Sequence, residues 1–205
     1  MATLKEFYEY AGLPIDIEQF ESIFNETQSD KSTRHNYHDI YSALFKNRST
    51  VKNILEIGIY HGTSLKSWKH LFENSQILGL DYEKSFFIEE DRIESLYVDQ
   101  RDIRTFYDVY QTVNSRMYDF IIDDGCHDPV ETLTTFNAAL PWLNINGWFV
   151  VEDIRLVDEE TWQKVSDTLP LNYKSFLINM NDLRDMENDP YKLKDNIVLA
   201  VKRIS

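Results

Sequence analysis

A single cysteine, Cys126, stands in a chain of 205 residues, so no internal disulfide can form. A reducing, cytoplasmic home is the simplest expectation. Basic residues are scarce as well: 21 Lys and Arg face 35 Asp and Glu, a formal charge of −14. That deficit argues against a nucleic-acid partner, which needs a basic face to neutralise phosphates. It argues equally against docking on anionic lipid through a polybasic patch. No apolar run reaches the roughly 18 residues of a membrane span, and Met1 to Phe7 lacks the apolar core of a secretory leader. With 6 Gly and 5 Pro there is no Gly/Pro-rich linker, and no internal repeat or low-complexity tract is evident.

What is present suits one domain of ordinary size. The chain is 42% hydrophobic and 14% aromatic, too apolar to stay disordered and long enough to bury a core unaided. The first 50 residues read as helical. Phe7, Tyr10, Ala11 and Leu13 share a face, Ile15 to Phe24 continue the spacing, and Tyr37 to Phe45 forms another helix. The polar stretch Asn25 to Arg34 reads as a loop. From residue 51 the rhythm changes to short apolar runs alternating with helical segments. The runs are Val51–Ile57, Ile77–Leu80, Ile93–Val98, Tyr118–Ile122 and Gly147–Val151; a helix over Val130–Leu143 precedes the last. Such alternation predicts parallel strands joined by helical crossovers, with helices on both faces. After a helix near Glu159–Leu169, Tyr173–Met180 and Asn196–Arg203 have no helix between them, so they pair antiparallel. The expected architecture is an α/β, Rossmann-like, seven-stranded sheet: five parallel strands plus a C-terminal antiparallel pair. Residues 1–50 form a helical extension acting as a cap, and 51–205 the α/β domain.

Acids close the strands one after another: Glu56, Asp81, Asp99, Asp123 with Asp124, and Glu152 with Asp153. Open α/β sheets bind ligands beyond the carboxyl ends of their strands, so these carboxylates gather on one rim. Each alone reads as a helix cap, and most of the remaining acid reads as surface charge. Glu56-Ile-Gly58-Ile-Tyr-His-Gly62 supplies glycines for a tight turn, but its spacing is not the dinucleotide fingerprint. An acid such as Asp81 at the second strand end suits a ribose diol. Asp124, Glu152 and Asp153 offer hard oxygen donors, which select Mg²⁺ before Zn²⁺. His127, three residues past Asp124, is spaced to take a proton in the same pocket or to bond locally. Cys126 reads as a small buried residue.

With these segments in view, the chain resembles the class I S-adenosylmethionine-dependent methyltransferases. Within them it is similar to the metal-dependent sugar O-methyltransferases of the macrocin and mycinamicin type. The resemblance runs over Leu55–Trp68, Ile77–Asp81, Asp99-Gln100, Ile121-Ile-Asp-Asp-Gly-Cys-His127 and Val150-Val-Glu-Asp153. It implies that Glu56, Gly58, Gly62 and Ser64 line the methionine and ribose part of S-adenosylmethionine. Asp81 and Tyr82 flank the ribose, Asp99 and Gln100 the adenine, and Asp123 the methionine end. Asp124, Glu152 and Asp153 would bind Mg²⁺, and His127 would be the general base of an O-methyltransferase acting on a sugar or small-molecule hydroxyl. The family usually has Ser where Cys126 stands. Nothing in the 205 residues matches the auxiliary domain of the mycinamicin enzyme, which leaves acceptor size and any homo-oligomer open. Asp30-Lys31, His35, Tyr37, His38 and Tyr41 also resemble the group. That segment would cover the cofactor or acceptor, or else present aromatics to the core and histidines to solvent. Rival readings are a catechol-like acceptor and a binding module without catalysis; a nicotinamide oxidoreductase fits the glycine spacing poorly.

Overall fold

The computed structural model describes residues 4–183 and 194–205. Four helices open the chain: α1 (Leu4–Ala11), α2 (Ile17–Thr27), the single turn α3 (Asp30–Thr33) and α4 (Tyr37–Leu44). The alternating region follows as β1 (Asn53–Ile57), α5 (Thr63–Leu71), β2 (Gln76–Asp81), β3 (Ile93–Tyr97), α6 (Ile103–Thr112), β4 (Tyr118–Asp123), α7 (Pro129–Ala139) and β5 (Leu143–Ile154). The tail is α8 (Glu159–Thr168), β6 (Tyr173–Asn179) and β7 (Ile197–Arg203). One seven-stranded sheet has the order β3-β2-β1-β4-β5-β7-β6. The first five strands in chain order pair parallel, and β7 runs antiparallel between β5 and β6. The expected sheet is therefore the observed one.

The two-residue period of a strand sends neighbours to opposite faces, and both faces are covered. Ile54, Phe120, Ile122, Trp148 and Val150 pack beneath α1, α2, α4 and α5. Leu55, Ile57, Ile121, Phe149 and Val151 face α6, α7 and α8. The N-terminal helices thus share a core with the sheet. Trp68 of α5 is fully buried, with its ring 5.3 Å from Phe24, 4.9 Å from Tyr41 and 5.3 Å from Phe120. Among the described residues no helix is long and apolar enough to cross a membrane.

Three boundaries differ from the sequence reading, each for a local reason. Asn25–Thr27 completes α2, and Asp30–Thr33 forms its own turn instead of loop, started by Ser29, whose hydroxyl accepts from the Lys31 N–H. The helix expected over Val130–Leu143 stops at Ala139, because Pro141 cannot donate the next helical bond; Leu140–Trp142 tightens into a 3₁₀ turn. β5 consequently starts at Leu143, ahead of Gly147. Most of the polar loop expected over Asn181–Asp195 lies outside the described residues.

Phe120 joins the sheet to the N-terminal helices, its ring 4.5 Å from Phe45 and 5.6 Å from Tyr41. Phe120→Ala is expected to cost about 3–5 kcal/mol of stability, measured by urea unfolding. A cost under about 1 kcal/mol would mean the N-terminal helices do not share this core.

Candidate functional site

β1 and β4 are paired to their carboxyl ends, but the chain leaves β1 toward β2 on one side and leaves β4 toward β5 on the other, so the connections that follow them separate. Such a switch point opens a crevice. Here it opens a cavity of about 540 Å³. Its floor depends on Gly58, at φ +94°, where a Cβ would lie 2.0 Å from the Asp124 carbonyl oxygen. The Asp124 N–H in turn donates to the Ile57 carbonyl (2.9 Å), so the β1 and β4 ends are tied backbone to backbone.

On the β2–β3 side, Asp81 is nearly buried. Its Oδ2 accepts from the N–H of Ile59 (2.8 Å) and Tyr60 (3.3 Å), and its Oδ1 from Glu83 N–H (2.9 Å). It therefore shapes the glycine turn as well as facing the cavity. Asp99 is clasped by the Arg101 guanidinium at 2.8 Å through Nε and Nη2, which holds its carboxyl below the usual range. Gln100 bridges three groups: its Nε2 donates to Asp123 Oδ1 (3.1 Å) and Thr135 Oγ1 (2.7 Å), and its Oε1 accepts the Cys126 N–H (2.9 Å). Exposed Tyr82 carries Arg101 over its ring.

The β4–β5 side holds the convergence of charge. β5 loses register against β7 between Val151 and Ile154, and Asp153 sits at φ +53°. That irregularity lets Glu152 and Asp153, which a flat strand would send to opposite faces, turn toward the same helices. Tyr37 donates to Asp153 Oδ1 (2.5 Å) and Tyr41 to Glu152 Oε1. His35 Nε2 lies 3.5 Å from Asp153 Oδ1, its ring stacked on Tyr37. At the centre is Lys31, 1% exposed, donating to Asp124 Oδ2 (2.7 Å) and to Glu152 Oε2, with Glu56 Oε1 at 3.5 Å. Burial alone would lower the Lys31 pKa, but the carboxylates of Asp124, Glu152 and Glu56 outweigh it and hold the ammonium well above its usual value. Burial likewise opposes ionisation of Asp124, yet Lys31 leads the groups that bring its carboxyl below the ordinary range. Burial pushes Glu56 up to about 7 and Asp123 up to about 8.

Asp124, His127 and Asp153 present ligand atoms within 4.8 Å of one another. His127 Nε2 is 3.9 Å from Asp124 Oδ1 and 3.7 Å from Asp153 Oδ2. The backbone at Tyr60, His127 and Asp153 is left-handed (φ +46°, +57° and +53°). For residues with a Cβ each such conformation costs about 1–3 kcal/mol, a strain that clusters at functional sites.

The structure thus brings Gly58, Ser64, Asp81, Tyr82, Asp99, Gln100, Asp124, His127 and Asp153 to one cavity wall. It does not bring Glu56, Gly62, Asp123 or Glu152 to that wall. Glu56 is fully buried, accepting from Ser64 Oγ (3.0 Å) and Trp68 Nε1 (2.9 Å), and so braces the turn from behind. Gly62 caps α5. Glu152 has both oxygens engaged by Tyr41 and Lys31. Cys126 is exposed, contrary to the sequence reading, because it follows the strand end in the turn instead of packing under it. Desolvation and Glu131 push its thiol up to about 12, leaving no thiolate at neutral pH. His35 is buried, which removes the reading in which both N-terminal histidines face solvent. Lys31, Tyr37 and Tyr41 stand out in the sequence, but the side-chain hydrogen-bond partners they take here lie more than 90 residues away.

Residues 55–154 match the model of a methyltransferase domain family. Among curated proteins the chain is similar to a demethylmacrocin O-methyltransferase of Streptomyces fradiae, 34% identical over 114 residues, which cover 52% of this chain and 28% of the relative. It is similar too to a mycinamicin VI 2''-O-methyltransferase of Micromonospora griseorubida, 32% identical over 114 residues (52% and 28%). The chain spans about a third or less of the length of these relatives. Among solved structures it shares its fold with the methyltransferase MycE of the mycinamycin pathway, solved with Mg, S-adenosylhomocysteine (SAH) and mycinamycin VI. That match has TM-score 0.65 and 24% identity, over 90% of this chain and 54% of that one.

Gly58→Ala is expected to destabilise the chain by at least about 2 kcal/mol, since the side chain meets backbone and must adopt a disfavoured φ. Thermal unfolding checks this; an unchanged melting temperature would mean the β1 and β4 ends sit further apart.

Proposed function

We propose that the chain is an S-adenosylmethionine-dependent O-methyltransferase whose acceptor is a hydroxyl of a sugar or sugar-bearing small molecule, working with a divalent cation, Mg²⁺ first. The observation that carries this reading is the continuity of one cavity. It runs from Tyr82, Asp99 and Gln100 beside β2 and β3 to Asp124, His127 and Asp153 beside β4 and β5. A nucleoside-bearing donor and an acceptor can meet over Gly58, between those groups. Relatives named as O-methyltransferases of rhamnosyl tetracenomycins, from Streptomyces olivaceus and 30% and 33% identical, support the sugar.

The residues fit a hard cation: Asp124 Oδ1 and Asp153 Oδ2 are carboxylate oxygens turned to the same imidazole, and Mg²⁺ is held by one or two carboxylates with its remaining positions on water or substrate. When bound, the donor supplies the methyl carbon on a sulfonium, and the cation polarises the acceptor hydroxyl. The chain's own groups do the rest. Asp81 and the glycine turn orient the nucleoside end, while Asp99 and Gln100 bound the adenine side. His127, partly exposed to the cavity, takes the hydroxyl proton at Nε2. Asp124 and Asp153 stabilise the imidazolium that results. Holding oxygen, carbon and sulfur in line provides much of the remaining acceleration.

A second reading of His127 rests on the same distances: its Nε2 is also placed to ligate the cation. His127→Ala separates the two. As the base, its loss lowers turnover about 10²–10⁴-fold while Mn²⁺ and SAH binding, read by titration calorimetry, stay within a few fold. As a ligand, Mn²⁺ affinity falls with it. Exhaustive EDTA is expected to abolish methyl transfer and Mg²⁺ to restore it; activity surviving EDTA removes the cation from the reaction. Labelled-methyl transfer to glycosides but not to catechols is the expected acceptor pattern, and the reverse pattern would transfer the reading to a catechol-like diol.

A further inference from the structure

We propose that Gln100 is a positioning residue for the proton acceptor: its carboxamide clamps the turn after β4 from both sides of His127 and so aims the imidazole into the cavity. The inference rests on the reading of His127 as the base, and gives Gln100 a duty beyond bounding the adenine side.

His127 stands on a turn that its own ring does not steady. Its backbone is left-handed, and the carboxylate oxygens facing its Nε2, at 3.7 and 3.9 Å, lie beyond hydrogen-bond distance. The direction of the imidazole is therefore set by the backbone that carries it. Three bonds from one side chain hold that backbone. Gln100 Oε1 accepts the Cys126 N–H at 2.9 Å, one residue before His127. Gln100 Nε2 donates to Asp123 Oδ1 at 3.1 Å, where β4 ends, and to Thr135 Oγ1 at 2.7 Å, inside α7. Asp123 and Thr135 are fully buried, so both anchors belong to the packed sheet and helix. Asp123 Oδ1 also accepts the Gly125 N–H at 3.2 Å, which draws the turn back onto its strand. The carboxamide lies directly on that turn: a Cβ at Gly125 would come within 2.1 Å of Gln100 Oε1. A primary amide, with one acceptor and two donors in a plane, matches this set of partners. Gln100 and His127 line the same cavity, so the clamp joins the donor side of the rim to the proton-accepting side.

Gln100→Met keeps the length of the side chain and removes all three bonds. With the glycosides of the acceptor assay above as probes, it should lower kcat at least tenfold, while SAH affinity, read by titration calorimetry, changes less than threefold. In a His127→Ala background the same substitution should cost less than threefold in kcat, because no imidazole is left to aim. Weakened SAH binding with kcat unchanged makes Gln100 a donor-binding residue and overturns the proposal. A tenfold loss of kcat that persists in His127→Ala overturns it too, since Gln100 then acts elsewhere. Gly125→Ala reaches the clamp from the other side. The backbone of Gly125 is not left-handed, so alanine fits it, and the new Cβ pushes the carboxamide off the Cys126 N–H; kcat should fall as in Gln100→Met. Should either variant fail to fold, the wild-type chain still decides. Cys126 is exposed, so its amide should exchange with deuterium at least tenfold more slowly than an open chain only if Gln100 holds it, as NMR reads directly. Exchange at the open-chain rate overturns the proposal. Turnover unchanged in His127→Ala alone would instead remove the reading of His127 as the base, and this inference with it.

Discussion

The interaction on which the site depends is the buried ammonium of Lys31 among Glu56, Asp124 and Glu152. These acids stand at the ends of β1, β4 and β5, adjacent strands of a parallel sheet. Topology alone therefore presses like charges together in a place closed to water. Carboxylates so arranged cannot all ionise without a counter-charge. Lys31 supplies it from outside the alternating α/β pattern, which makes the N-terminal helices part of the site's construction. The hydroxyls of Tyr37 and Tyr41, carried on α4, complete the arrangement by donating to Asp153 and Glu152. α4 can reach because the Tyr41 ring itself lies against Trp68 and Phe120. The apolar core and the polar site thus use one helix, and its burial holds the charged groups in register.

The second constraint is backbone geometry. A regular β5 would aim Glu152 and Asp153 to opposite sides, and a regular turn after β1 would push the chain into β4. The register loss in β5, the left-handed Asp153 and the left-handed Gly58 relieve both conflicts. Strain at Tyr60, His127 and Asp153 persists because flanking hydrogen bonds and packed strands leave the chain little alternative. A rim on strand ends of this kind is rigid where the strands end and adjustable only in its side chains. That combination suits a reaction whose requirement is alignment.

How much of this the sequence carried follows from the range of each interaction. The sheet was legible because each of the five parallel strands announces itself locally, by an apolar run and a closing acid, and the crossover rules then leave little freedom in topology. Asp81 at the end of β2 and the Asp123–His127 turn were legible for the same reason. Lys31 was not: its partners Asp124 and Glu152 lie 93 and 121 residues away, and no periodicity within the first 50 residues distinguishes a lysine that will be buried from one facing water. The exposure of Cys126 and the early end of α7 were missed on a smaller scale. The first depends on where the turn after β4 leaves the sheet, the second on Pro141, whose missing N–H outweighs the apolar pattern around it.

The acidic composition also changes meaning once the groups are located. Counted from the sequence, every carboxylate on the rim contributes one negative charge. In the fold, burial holds Asp123 at about 8 and Glu56 at about 7, so neither is a full charge at neutral pH. Glu152 is raised as well, first by burial. Asp124 alone among the groups around Lys31 is lowered, through Lys31 and His127, and it is also the one with an oxygen turned to the cavity. The fold therefore converts a diffuse excess of acid into charge at one defined place. Glu56 and Asp123 act chiefly as hydrogen-bond partners for Ser64, Trp68 and Gln100. A cation or sulfonium entering the cavity meets that localised charge beside His127. The N-terminal lysine, by keeping Asp124 ionised, sets where it lies.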